Sequence, residues 1–114
     1  MSPRSWLERI RDILDAIAEV ESFVRNMDFE TFRMDPRTLK AVELNLIIIG
    51  EAANRIPEDI QRVHPEVPWH LMRAMRNRLV HVYFSADPRI VWDTVQQDLM
   101  PLVPRLQSLL SEPG

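Results

Sequence analysis

The sequence predicts an all-α fold, an antiparallel up-down bundle of four main helices. Only two of the 114 residues are glycine, and apolar residues recur along most of the chain with the 3.6-residue period of an amphipathic helix. An Asp-Pro pair begins a helix well, because aspartate caps the N-terminus and proline suits the first turn; such pairs occur at Asp35-Pro36 and Asp87-Pro88. The length suits a single domain, which we expect to span residues 1–114.

The first helix is predicted to run from about Pro3 to Val24, because one stripe of this segment is apolar. This stripe consists of Trp6, Leu7, Ile10, Ile13, Leu14, Ile17, Val20 and Val24. The segment that follows, Asp28 to Phe32, predicts a short turn of helix or a loop.

The second long helix begins at Asp35-Pro36 and is predicted to end near Ile56, because Pro57 follows. Its apolar side chains point almost all the way round: Leu39, Val42, Leu44, Leu46, Ile47, Ile48 and Ile49. A helix of this kind is not stable on a solvated surface, so we expect it in the middle of the bundle or at a subunit interface. Gly50 costs about 1 kcal/mol relative to alanine inside a helix and indicates a close approach of another helix.

The remaining chain predicts a connector and two further helices. The connector, from Pro57 to Pro68, contains a short helical turn, and the third long helix extends from Pro68 or Trp69 to about Phe84. The last helix opens at Asp87-Pro88, and its predicted core residues are Ile90, Val91, Val95, Leu99, Leu102, Val103, Leu106 and Leu110. Proline removes a backbone donor, so we expect kinks in this helix at Pro101 and Pro104.

The composition excludes several classes of protein. The chain has no cysteine, which rules out a disulfide framework, a thiolate metal site and a thiol nucleophile. The N-terminus is charged and lacks the apolar core of a signal peptide, and the longest apolar run, Leu46 to Gly50, is far shorter than the roughly 20 residues that a membrane span requires. We therefore expect a soluble, cytoplasmic protein.

The charge distribution points to a confined anion site. The net charge of −3 argues against a protein that coats nucleic acid through bulk charge. However, no acidic residue lies between Glu66 and Asp87, whereas this stretch contains His70, Arg73, Arg76, Arg78 and His81. Such a basic strip suits a phosphate site, and it equally suits a solvated helix face whose partners lie on other helices.

The strip presents a polar arc on the third long helix. At about 100° per residue, Arg76, Asn77 and His81 form one contiguous polar arc away from the core, with Arg73 inside it and Tyr83 along the Arg76 edge. An arginine can hold a phosphate with its planar fork of donors, and a histidine can give or take a proton near neutral pH. These groups are what cleavage of RNA by its own 2′-hydroxyl requires, without a metal or a cofactor. The alternative is an ordinary polar face, because an arginine and a histidine five residues apart are common on helices.

A metal site is not expected from the histidines. His70 and His81 share a face but lie roughly 16 Å apart along the helix axis, and His64 lies in the connector. Two other residues leave alternatives open. Glu51 can reach the polar arc or bond a neighbouring helix, and Tyr83, the only tyrosine, is a half-buried ring with a tethered hydroxyl unless it has a chemical role.

The segment from Met75 to Tyr83, Met-Arg-Asn-Arg-Leu-Val-His-Val-Tyr, resembles the R-x-x-x-x-H-x-Y motif of the HEPN superfamily, and more narrowly its HepT-like branch. The segments 49–53 (Ile-Gly-Glu-Ala-Ala), 67–69 (Val-Pro-Trp), 91–92 (Val-Trp) and 98–99 (Asp-Leu) fit this family in order, so the resemblance spans nearly the whole chain. It implies a homodimeric, metal-independent endoribonuclease that acts on RNA and is not expected to act on DNA. By position, Arg76 and His81 are the catalytic pair, with Asn77 and Arg73 in support.

The same resemblance implies a partner. HepT-like proteins are the toxin half of toxin–antitoxin pairs, and a minimal nucleotidyltransferase antitoxin is thought to attach AMP to the tyrosine of the motif, here Tyr83. A bulky anion two residues from His81 would occupy the place of the RNA phosphate beside Arg76. The alternative function is a non-catalytic helical dimer that binds the nucleotidyltransferase and regulates it.

Overall fold

A computed structural model of the chain describes residues 5–82 and 87–111, and for residues 76–82 it describes the backbone alone. In these residues the regular structure is entirely helical, without a strand, which confirms the all-α prediction. The elements are α1 (Trp6–Val24), α2 (Phe29–Arg33), α3 (Pro36–Asn54), α4 (Glu58–Val63), α5 (Trp69–Val82), α6 (Pro88–Asp93), a π-helical segment (Thr94–Leu99) and α7 (Leu102–Leu110).

Helix α1 begins at Trp6, so the predicted start at Pro3 was wrong. Ser5 has extended backbone angles and caps the helix, because its hydroxyl accepts the N–H of Glu8 at 3.3 Å. A serine followed three residues later by a glutamate is a capping-box sequence, and it marks this start more accurately than the proline does. The predicted end at Val24 is confirmed, and the chain turns away through Asn26, whose φ of 65° lies in the left-handed region.

Helix α3 begins where the Asp-Pro pair predicted. The Asp35 carboxylate accepts the Thr38 N–H at 3.1 Å and the Thr38 hydroxyl at 2.7 Å, and these hydrogen bonds hold the pKa of Asp35 below its usual value. The helix ends at Asn54, two residues before Ile56. Arg55 and Ile56 form the turn instead, because a residue that precedes proline disfavours helical backbone.

The hydrophobic core lies on both sides of α3, which makes its most extensive contacts with α1 and α5. Helix α1 contributes a buried stripe of Ile10, Ile13, Ala16, Ile17, Val20 and Val24. Helix α3 buries Val42, Leu46, Ile49, Ala52 and Ala53, and Gly50 is buried on the same helix. The central position predicted for this helix is therefore confirmed for its inner face.

The last segment is interrupted at Pro101, where a kink was predicted, whereas the helix is continuous at Pro104, where the second kink was predicted. Residues 94–99 widen into a π-helix, and the Met100 N–H bonds the Val95 carbonyl, five residues back, at 3.2 Å. Pro101 has no N–H with which to continue an α-helix, and α7 starts immediately after it. Pro104 lies in the first turn of α7, where no N–H is needed, and the helix continues through it.

Candidate functional site

Helix α5 carries the polar strip, and its start is anchored by Trp69. The indole N–H of Trp69 donates to the His64 carbonyl at 3.0 Å, and the ring is only 5% exposed. Met72 and Met75 are buried in the core. Together these three residues fix the rotational position of the helix, and position 73, one turn after Trp69 and about 100° round the helix from Met72, lies at the edge of the buried face.

The predicted site residues on this helix are not all described in the same detail. For Arg73, both the backbone and the side chain are described. The backbone at Arg76, Asn77 and His81 is α-helical, while their side chains lie outside the described part of the structure. Because the helix is continuous from Trp69 to Val82, positions 76 and 81 are separated by about 7.5 Å along one axis. Tyr83 lies outside the described residues.

The Arg73 side chain is half-buried and is held by a neutral partner. One guanidinium nitrogen of Arg73 donates to the side-chain oxygen of Gln61 at 2.7 Å. The amide nitrogen of Gln61 in turn donates to the Ile56 carbonyl at 2.9 Å, which fixes the amide. This two-step chain of hydrogen bonds orients the guanidinium without neutralising its charge.

Gln61 was missed in the sequence, and its role depends on how α4 folds back against α5. The predicted connector does contain a short helix, Glu58–Val63, as expected. A glutamine at the fourth position of a short polar helix carries no signal in the sequence. Its contact with Arg73, twelve residues later, exists only once α4 and α5 are packed together.

A cleft of about 390 Å³ opens between α4 and the first turns of α5. Its polar lining is formed by Glu58, Gln61, Arg62, His70 and Arg73. Arg62 and His70 are exposed, so the cleft has a solvent-facing basic rim. Pro65, Val67 and Trp69 complete the lining.

His64 is a packing residue. It is 8% exposed, its ring centroid lies 6.2 Å from that of Trp6, and Nδ1 lies 3.4 Å from a Glu66 carboxylate oxygen. Trp92 also packs against the core, since its ring contacts Phe32 with a centroid distance of 5.2 Å. In residues 5–82 and 87–111, no group of three or more His, Cys, Asp or Glu side chains is placed to hold a metal ion.

A second, larger groove of about 450 Å³ lies between α1 and α3. Its charged lining consists of Asp12, Asp15, Glu19, Glu51, Arg9 and Arg55, so carboxylates outnumber guanidiniums by four to two. Glu51 lines this groove together with residues of the neighbouring helix α1. This groove is acidic, in contrast to the cleft beside Arg73.

The chain matches known proteins over most of its length. The family model described as "Ribonuclease HepT-like" matches residues 13–110. The chain belongs to this HepT-like ribonuclease family. The resemblance predicted from the motif segment is therefore confirmed at the level of the family.

Individual relatives support the same assignment. A protein of Thermococcus cleftensis named probable ribonuclease HepT is 43% identical over 106 residues, which cover 93% of this chain and 96% of that protein. A protein of Caldanaerobacter subterraneus named as a candidate RNase is 32% identical over 111 residues, covering 97% and 96% respectively. Another, from Methanocaldococcus jannaschii, is 40% identical over 84 residues, covering 74% of this chain and 69% of that protein.

No solved structure matches the chain. Across the described parts of this HepT-like chain, no helix is both long enough and apolar enough to cross a membrane.

Proposed function

We propose that this HepT-like chain is a metal-independent endoribonuclease, the cytoplasmic toxin of a toxin–antitoxin pair, and that it cleaves RNA with Arg76 and His81. The observation that carries the proposal is membership of a ribonuclease family combined with an intact R-x-x-x-x-H-x-Y sequence, whose arginine and histidine positions lie on one continuous helix. The acid-free stretch around this motif favours an anionic substrate.

In the proposed reaction the RNA supplies its own nucleophile. The 2′-hydroxyl oxygen attacks the adjacent phosphorus, the bond from phosphorus to the 5′-oxygen breaks, and a 2′,3′-cyclic phosphate and a 5′-hydroxyl end form. One imidazole takes the proton of the 2′-hydroxyl and another gives a proton to the departing 5′-oxygen. The Arg76 guanidinium holds the phosphate oxygens and stabilises the charge that develops on them.

A single His81 cannot be the base and the acid in the same step, so we propose a two-fold homodimer in which both copies contribute His81 and Arg76 to one cleft. Support comes from the outer face of α3, which the monomer leaves uncovered. Leu44 is 59% exposed and Ile48 is 41% exposed, one helical turn apart, with Ile47 partly buried beside them. We call these three residues the α3 ridge and propose it as part of the contact between copies.

Charging the α3 ridge should separate the copies. In the double variant Leu44→Glu, Ile48→Glu, two carboxylates would have to be desolvated in the dimer, and we expect a monomer with strongly reduced RNA cleavage. Val63→Glu is the matched control, because Val63 is 69% exposed on a different helix and should leave a dimer. Sedimentation equilibrium reports the oligomeric state. A native chain that is monomeric at micromolar concentration would remove the composite site, and a double variant that stays dimeric would move the interface away from α3.

The proposed partner is a minimal nucleotidyltransferase that silences the chain by adding AMP to Tyr83. RNA is the proposed substrate, and DNA is not, because DNA lacks the 2′-hydroxyl that attacks. The alternative is a non-catalytic helical dimer that binds and regulates the nucleotidyltransferase, a role for which the exposed α3 ridge would also serve.

The test of the proposed activity is incubation of the purified native chain with labelled single-stranded RNA in excess EDTA. We expect cleavage to persist, because no step requires a metal. Cleavage that stops in EDTA and returns with a divalent cation would indicate a metal nuclease. A chain that leaves RNA intact but binds the nucleotidyltransferase would favour the non-catalytic dimer.

A further inference from the structure

We propose that the cleft between α4 and the start of α5, defined by Gln61, Arg62, His70 and Arg73, binds a backbone phosphate of the RNA next to the cleaved bond. This inference rests on the proposed ribonuclease function and adds to it a second contact with the substrate. The ligand class is a phosphodiester of single-stranded RNA.

The state of Arg73 is the first argument. Its guanidinium is oriented by the Gln61 amide at 2.7 Å, and that amide is fixed by the Ile56 carbonyl at 2.9 Å. Ion pairs with Glu21, Glu30 and Asp93 hold Arg25, Arg33 and Arg89 respectively, whereas Arg73 is held by a neutral group. An arginine that is oriented but not neutralised loses less side-chain entropy when it binds a phosphate and keeps its full attraction for the anion.

The composition of the cleft is the second argument. Arg62 lines the α4 wall and Arg73 the α5 wall, so a phosphate in the cleft can meet a guanidinium from each side. His70 adds a ring N–H donor at the rim. Glu58 also lines the cleft, so the two arginines leave a net positive charge with the histidine neutral.

The position of the cleft is the third argument. Arg73 precedes position 76 by three residues on the same continuous helix, which is about 4.5 Å along the axis and about 60° in rotation. The cleft therefore lies next to the helix positions that carry the proposed catalytic pair. An RNA strand that follows α5 would place one phosphate at the strip and a neighbouring phosphate in the cleft.

The larger groove between α1 and α3 does not compete for this role. Its four carboxylates and two guanidiniums give it a net negative charge, which repels a polyanion. The cleft beside Arg73 is thus the one of these two cavities whose charge suits RNA.

The experiment measures how salt weakens the binding of a 2′-O-methyl oligoribonucleotide, a probe that binds but is not cleaved. For a single strand, the slope of log K against log salt is negative, and it becomes shallower by about 0.7 for each phosphate contact that is lost. We expect this loss, and roughly tenfold weaker binding, in Arg62→Ala. Arg25→Ala is the matched control, because Arg25 is an exposed arginine directly after α1 whose carboxylate partner is Glu21 at 3.9 Å, and the slope of this variant should equal the native one.

Gln61→Glu tests the positioning of Arg73 separately. This substitution puts a carboxylate where the neutral amide now accepts from the guanidinium, so the arginine stays oriented but is neutralised. We expect the slope of log K against log salt to be as shallow as in Arg62→Ala. The far-ultraviolet circular dichroism spectrum should be unchanged from that of the native chain. A merely structural role for Gln61 would leave the slope unchanged.

The outcomes separate this inference from the proposed function. If both variants show the same salt dependence as the native chain, and the native chain cleaves RNA, the proposed phosphate site in the cleft is wrong and the ribonuclease proposal stands. A native chain that binds the probe with the predicted slope changes but does not cleave RNA would keep the cleft and overturn the catalytic proposal. A native chain that does not bind the probe would contradict both.

Discussion

Replacing His81 with alanine is expected to lower the rate of RNA cleavage by about 10²–10⁴-fold, the usual contribution of a positioned general acid or base. In a homodimer the substitution removes both imidazoles at once, so no second histidine of the pair remains to take over. The helix should persist, because position 81 lies within the α-helical backbone of α5 and alanine is the strongest helix former. Initial rates on a labelled RNA, measured beside the thermal unfolding of both proteins, give the comparison. A variant that unfolds at the native temperature and cleaves at the native rate would exclude His81 from the chemistry.

The companion substitution Arg76→Lys keeps the charge and removes the planar fork. A lysine ammonium cannot hold two phosphate oxygens side by side, so we expect a loss of cleavage although the net charge is unchanged. Arg25→Lys is the matched control, because Arg25 is an exposed arginine that faces Glu21 on α1. This variant should cleave at the native rate. Full activity in Arg76→Lys would show that charge alone suffices at this position and would remove the bidentate role.

The second large effect concerns the partner. Tyr83→Phe removes the oxygen that would accept AMP and keeps the aromatic ring, so we expect a chain that still cleaves RNA but can no longer be silenced by the nucleotidyltransferase. The readout is intact mass after incubation with the nucleotidyltransferase and ATP. Tyr83 is the only tyrosine of the chain, so loss of the mass shift in this variant assigns the modified residue directly.

Cell growth provides the second readout for this variant. Co-expression with the nucleotidyltransferase should restore growth to cells that express the native chain and should fail to restore it to cells that express Tyr83→Phe. A mass shift that persists in the variant would place the modification on another residue. If neither protein affects growth or RNA, the non-catalytic dimer becomes the better account.

Local signals in the sequence predicted most helix boundaries, because a cap or a proline acts within one turn. The start of α3 at Asp35-Pro36 and the start of α5 at Trp69 follow from such signals. The start of α1 was misplaced because an apolar stripe does not fix a helix end, whereas the Ser5 cap and its partner Glu8 in the same turn do.

Features that depend on packing were not predictable in the same way. The π-helical segment Thr94–Leu99 places its extra residue before Pro101, and helical periodicity alone does not show where a helix widens. The surplus of apolar residues on α3 was evident, yet only the packed structure shows that Leu44 and Ile48 are the ones left exposed. The hydrogen bond between Arg73 and Gln61 likewise requires α4 to lie against α5.

The candidate site shows the same difference between local signals and features that depend on packing. The motif was identified by its resemblance to that of a known family, which depends on local residue types and spacing, and the match over residues 13–110 confirms the family. The cleft beside the motif is built from two helices joined by a turn, and a sequence pattern contains no distance between them. The catalytic pair could therefore be proposed from the sequence, whereas the second phosphate contact required the structure.

The measurement that tests the central claim most directly is the chemistry of the cut ends, compared between two substrates. One is an unmodified RNA, and the other is the same RNA with a single 2′-deoxy nucleotide at the cleaved position. In excess EDTA, the native chain should leave a 2′,3′-cyclic phosphate or a 3′-phosphate and a 5′-hydroxyl on the unmodified RNA, and it should not cut the 2′-deoxy position. This result is expected because the attacking oxygen belongs to the substrate. A 5′-phosphate on the product, or efficient cleavage at the 2′-deoxy position, would mean that water is the nucleophile and would contradict the mechanism assigned to Arg76 and His81.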